Sequence, residues 1–129
     1  MKKFLTELDA NLKEDSDSVW IIKKPLVYWS EVVGVIEVPI GFETDFASVP
    51  RVPFIYELFG NKAHREAVLH DYLYRIDSTP QATYSQANEV FYEAMELRGK
   101  SWVVRHGMWL GVVLGGWTAY HKKMVGDKL

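Results

Sequence analysis

The chain contains no cysteine, which excludes disulfides, thiolate metal sites and cysteine nucleophiles. An excess of positive charge is missing as well: the net charge is −2 and no basic patch stands out beyond Lys122-Lys123, so general nucleic-acid binding is not expected. Met1-Lys2-Lys3-Phe4-Leu5-Thr6-Glu7 lacks the continuous apolar stretch of a signal peptide, which makes the cytoplasm the expected compartment. The uninterrupted run from Gly107 to Tyr120 is short of the ~20 residues that a bilayer requires, and a transmembrane chain is not expected. What is present suits one soluble domain. The chain has 129 residues, 48% hydrophobic and 25% charged, enough to bury a core without staples. Five tryptophans suggest a packed aromatic core and an interaction face.

The pattern along the chain predicts an α+β fold. Residues 1–17 are polar and acidic and read as a leader. Val19-Trp20-Ile21-Ile22, Leu26-Val27-Tyr28-Trp29 and the run from Val32 to Val38 are rich in β-formers, and predict a small antiparallel sheet of two or three strands over 18–42. Pro25 belongs at a turn or edge, since it cannot donate to a ladder. Residues 43–61 read as a loop anchored by Phe42, Phe46 and Val49, with one short helical turn over Pro53 to Phe59. Helices fill 62–123, after the strands rather than between them.

The chemistry concentrates on the first of these helices, 63–76. Successive 100° steps place Ala63, Ala67, His70 and Tyr74 in one stripe with Asp71 beside it, while Val68, Leu69, Tyr72 and Ile76 cover the other side. A helix that is apolar on both sides is buried, and its polar groups then need partners. A lone histidine in such a place is most simply a core residue bonded to a carbonyl. An adjacent His-Asp pair with Tyr74 one turn on points instead to a site. His64 lies six residues from His70, a poor match to the four-residue metalloprotease spacing. Thr83-Tyr84-Ser85-Gln86 has the spacing of a capping box, predicting a second helix from Tyr84 to about Arg98. On its margin, Asn88 would reach His70 if the two helices return antiparallel. Asp45 in the anchored loop is a further site candidate, whereas Thr44 and Ser48 read as turn caps.

A last helix is expected from Trp102 to about Lys123. Gly107, Gly111 and Gly115 recur along one face, each costing ~1 kcal/mol against alanine. Close packing against another backbone, in the same chain or in an oligomer joined through this face, is the expected compensation.

Two resemblances follow from these motifs. Val38-Pro39-Ile40-Gly41-Phe42-Glu43-Thr44-Asp45-Phe46-Ala47-Ser48-Val49-Pro50-Arg51, then Ala67-Val68-Leu69-His70-Asp71-Tyr72-Leu73-Tyr74, then Ala87-Asn88-Glu89-Val90-Phe91-Tyr92-Glu93-Ala94-Met95, resemble domain-of-unknown-function family 1353, over roughly residues 19–120. That family is carried mainly by tailed bacteriophages and prophages. The resemblance implies a phage protein made in the host cytoplasm, with other virion proteins among its expected partners, but no established activity. The family often has Asp where this chain has Asn88. In addition, His-Asp-x-x-Tyr on one helix and Ala-Asn-x-x-Phe on the next are similar to the active-site helices of secretory and parvoviral phospholipases, which carry Asp at the second-helix position. That likeness implies His70 as the base that activates water, Asp71 as a ligand of Ca2+, and Asn88 orienting His70 with Tyr74 behind it. Lipid esters would be the substrate. The glycine-rich calcium loop of those enzymes is missing, so the loop containing Asp45 would have to substitute for it. The other reading is a non-catalytic virion or tail-associated module, in which the His-Asp pair knits the core.

Overall fold

The computed structural model describes residues 2–45, 64–115 and 120–129. Among the described residues six short strands precede three helices, an α+β arrangement. The strands are β1 (Lys3–Phe4), β2 (Ala10–Leu12), β3 (Trp20–Ile22), β4 (Leu26–Ser30), β5 (Gly34–Val38) and β6 (Glu43–Thr44). They form two antiparallel three-stranded sheets, ordered β1-β4-β5 and β2-β3-β6. The β4–β5 hairpin shows why these residues make strands. Leu26, Tyr28 and Ser30 point inward and alternate with Val27 and Trp29, and Leu26 and Tyr28 sit opposite the buried Val38 and Ile36. Period-two burial of β-branched and aromatic residues fixes that register. Gly34, at φ +86°, closes the turn in a conformation that side chains disfavour.

The polar leader is a correction. Residues 3–4 and 10–12 are edge strands, β1 on β4 and β2 on β3. Edge strands are held by backbone pairing on one side and need little apolar alternation, so composition concealed them. Phe4 rests on Tyr28 with ring centroids 4.6 Å apart, and Thr6 clamps the edge by accepting from the Val27 amide at 2.8 Å and donating to the Pro25 carbonyl at 2.9 Å.

The helices are α1 (His64–Leu73), α2 (Tyr84–Leu97) and α3 (Trp102–Gly115). In α1, Ala67, Val68, Leu69, His70, Tyr72 and Leu73 are all buried, as expected of a helix apolar on both sides. It ends earlier than residue 76, in a turn where the Arg75 amide donates to the Tyr72 carbonyl. The predicted capping box starts α2: Thr83 accepts from the Gln86 amide and the Gln86 side chain accepts from the Thr83 amide. Tyr74 meets Tyr84 at one end of this pair, with centroids 6.0 Å apart, and Glu66 approaches Arg98 at the other, at 4.0 Å. The two helices are therefore antiparallel. The main core joins Ile22, Leu26, Tyr28, Ile36, Val38 and Phe42 from the strands to Val68, Leu69, Leu73, Ala87, Val90 and Ala94.

Helix α3 departs from expectation in two ways. Tyr120 and His121 already lie in a turn, His121 at φ 56°, so the helix does not continue to Lys123. Its buried side is Met108 and Val112, packed with Ala67, Phe91 and Met95, whereas Gly111 is exposed. Within the chain, close backbone approach is thus not what Gly111 provides. Among the described residues no helix is long and apolar enough to cross a membrane. The expected helical turn over Pro53 to Phe59, and Phe46, Ser48 and Val49 of the loop, lie outside the described residues.

Candidate functional site

The antiparallel pairing of α1 and α2 places His70 against Asn88. The ring Nε2 of His70 lies 2.7 Å from Asn88 Oδ1. An amide oxygen only accepts, so Nε2 carries the proton and the neutral ring keeps its lone pair on Nδ1. The Tyr74 hydroxyl donates to the same Oδ1 at 2.8 Å. Both lone pairs of that oxygen are thereby used, which fixes the amide and, through it, the tautomer of His70.

Packing holds the ring in place. Tyr74 and Phe91 lie beside it at 4.0 and 5.1 Å between centroids, and His70 is 1% exposed. Burial drives its pKa down to about 4, only partly offset by the bond to Asn88, because a buried imidazolium loses its hydration. His70 is neutral at physiological pH. Behind Asn88, Tyr74, Tyr84 and Tyr120 form a triangle of rings 5.4 to 6.0 Å apart. The Tyr84 hydroxyl reaches the carbonyls of Val112 and Val113 on α3, and burial raises the Tyr74 hydroxyl pKa. Tyr74 therefore stays a donor.

Asp71 faces a different neighbour. Its Oδ2 accepts from the Thr44 hydroxyl at 2.5 Å, so β6 delivers Thr44 and the following Asp45 to α1. Burial raises the Asp71 carboxyl pKa to about 6, a rise opposed by the Thr44 bond, reinforced by the charge of Asp45 and eased by Arg75 and Lys123. Thr44 is more than the turn cap its sequence suggested. Its partner is 27 residues away in the chain, and no local spacing signals that contact. Arg75 did carry a signal: it stands four residues after Asp71, the helical ion-pair spacing. Arg75 is buried, with one Nη donating to the Glu43 carbonyl at 3.3 Å and the guanidinium 5.1 Å from the Phe42 ring.

Asp71, Asp45 and Thr44 offer the hard oxygens that calcium prefers. Three side chains do not reach its usual six to eight ligands, and no group of three His, Asp or Glu side chains able to hold a metal is gathered among the described residues. The arrangement the structure does bring together is a neutral, tautomer-locked imidazole with its proton on the Asn88 side, next to a carboxyl poised near neutrality.

Comparison with known proteins finds no match among curated proteins or solved structures. Residues 20–112 match the family described as protein of unknown function (DUF1353). The match spans the hairpin, β6, α1, α2 and most of α3, and so includes His70, Asp71, Tyr74 and Asn88; the chain belongs to the DUF1353 family.

Proposed function

We propose that the protein is a phage-borne hydrolase of lipid esters, made in the host cytoplasm, in which His70 activates water. The observation that supports this reading is the double acceptance at Asn88 Oδ1, which orients the His70 ring with its proton on Nε2. In the reaction, Nδ1 takes a proton from water as the water oxygen bonds to the ester carbonyl carbon. The tetrahedral intermediate then collapses with cleavage of the carbon–oxygen bond to the alcohol. The leaving oxygen recovers the proton from Nδ1, giving acid and alcohol and restoring neutral His70. Asn88 orients the ring throughout but offers no charge to the imidazolium. A base with pKa about 4 is also weak, since general-base catalysis is most efficient with a pKa near the working pH. Turnover is therefore slow. No step depends on an ion; Asp71 and Asp45 are the residues that would hold Ca2+ if it is recruited, and it would stabilise the oxyanion.

The test is release of ester product, with calcium or with chelator, alongside a melting curve. Replacing His70 with Gln should abolish release while leaving the chain folded. Loss of fold with no turnover in the parent would refute the proposal.

A second reading is favoured by one observation, the 1% exposure of His70 between Tyr74 and Phe91. Under it the chain is a non-catalytic virion or tail-associated module, and the His70–Asn88–Tyr74 group secures the α1–α2 contact.

A further inference from the structure

Residues 120–129 cross the turn that follows α1 and reach β6, fastened at two places. At the first, the His121 amide donates to the Tyr74 carbonyl at 2.8 Å and the Ile76 amide donates to the Lys123 carbonyl at 2.9 Å. The Val125 amide then donates to Asp77 Oδ1 at 2.7 Å. At the second, the Leu129 amide donates to Glu43 Oε1 at 3.0 Å, and the Lys128 ammonium stands 3.6 Å from the same carboxylate. Lys13 donates to Glu43 Oε1 at 3.1 Å and to the Leu129 carbonyl at 3.5 Å, and so ties the two together.

Arg75 spans the same two places. It lies between Tyr74 and Ile76, whose backbones pair with the crossing segment, and its guanidinium donates to the Glu43 carbonyl. Arg75 is 6% exposed, yet its Nη1 is buried with no hydrogen-bond partner. A buried cationic donor left unpaired works against the closed arrangement, because water would satisfy it on opening. The segment has little burial to set against this. None of residues 120–129 is fully buried, and the far end rests on one carboxylate. A surface segment held by a few discrete bonds opens locally before the rest of a fold does.

We infer that residues 121–129 are a strap over Arg75, fastened at Glu43, which opens as a unit while the α1–α2 core stays folded and leaves the Arg75 guanidinium reachable from solvent. This inference does not rest on ester cleavage at His70.

Two measurements on the full chain test it: amide hydrogen exchange, and modification of Arg75 by phenylglyoxal, a reagent for guanidinium groups, mapped by mass spectrometry. In the parent the Ile76, His121 and Leu129 amides should be protected, but should exchange about tenfold or more faster than those of Leu69 and Val90 in the core. Glu43→Gln removes the charge that Lys13, Lys128 and the Leu129 amide share. It should speed both strap exchange and Arg75 modification by about tenfold or more, with Leu69 and Val90 much less affected. Should Glu43→Gln not fold, Lys13→Met carries the same expectation. Strap amides that are unprotected in the parent, or that exchange no faster than Leu69 and Val90, would overturn the inference. Variants that leave strap exchange at the parent's rate, or speed it while Arg75 is modified no faster, would overturn it as well.

Discussion

His70 and Asp71 are neighbours in the chain, yet their environments give folding opposite dependences on pH. His70 has its pKa lowered from 6.5 to about 4. Between those values the unfolded chain binds a proton that the folded chain does not, so this residue makes stability fall as pH falls from 6.5 to 4. The span of about 2.5 units, at 1.36 kcal/mol per unit, amounts to about 3 kcal/mol. Asp71 has its pKa raised from 3.8 to about 6. There the folded chain binds the extra proton, so its contribution to stability rises as pH falls from 6 towards 4 and is lost as pH rises through 6. That contribution is at most about 3 kcal/mol, and less in practice because Asp71 keeps part of its surface in water. In the parent the two slopes oppose each other between pH 4 and 6. Each single variant should expose the other. Urea unfolding of Asp71→Asn should show stability falling steeply from pH 6.5 to 4, and His70→Gln should show it rising over pH 6 to 4, relative to the parent. Three profiles parallel across that window would refute the burial assigned to both groups.

Other predictions follow from the same contacts. Nitrogen-15 NMR of the histidines should find His70 neutral and protonated at Nε2 down to about pH 4; a proton on Nδ1 would contradict the Asn88 geometry. Gly111 is exposed on α3, so a small side chain there should not overpack the chain. Gly111→Ala should raise stability by up to ~1 kcal/mol through helix propensity, and a loss of stability in thermal unfolding would show that something does pack there.

The local features of this fold were legible because short-range physics sets them. The Thr83–Gln86 cap is closed by residues three apart. The burial of α1 on both sides follows from Val68, Leu69 and Tyr72 standing opposite Ala67 and His70. The His70–Asn88 pair was also readable: each residue's place on its own helix was set by the helical period, and a short connection favours antiparallel return. The features that failed are those that depend on distant partners. β1 and β2 exist because β4 and β3 offer edges. Thr44 gained its role from Asp71, far along the chain. On α3, contact with Phe91 and Met95 makes Met108 and Val112 the buried side, and Gly111, which the repeat placed on a packed face of the chain or of an oligomer, is exposed within the chain. Helix periodicity lays out the possible faces, and the neighbouring element chooses among them.

The central claim is that His70, oriented by Asn88, activates water for ester cleavage, and the most direct measurement is the rate of ester release by Asn88→Asp beside the parent. A carboxylate at this position would stabilise the imidazolium and raise the His70 pKa towards neutrality. The rate should therefore rise above the parent's, and the rise should disappear when His70 is also changed to Gln. No release by either protein, with Asn88→Asp folded, would contradict the claim and leave the His70–Asn88–Tyr74 group as a fastening between two helices.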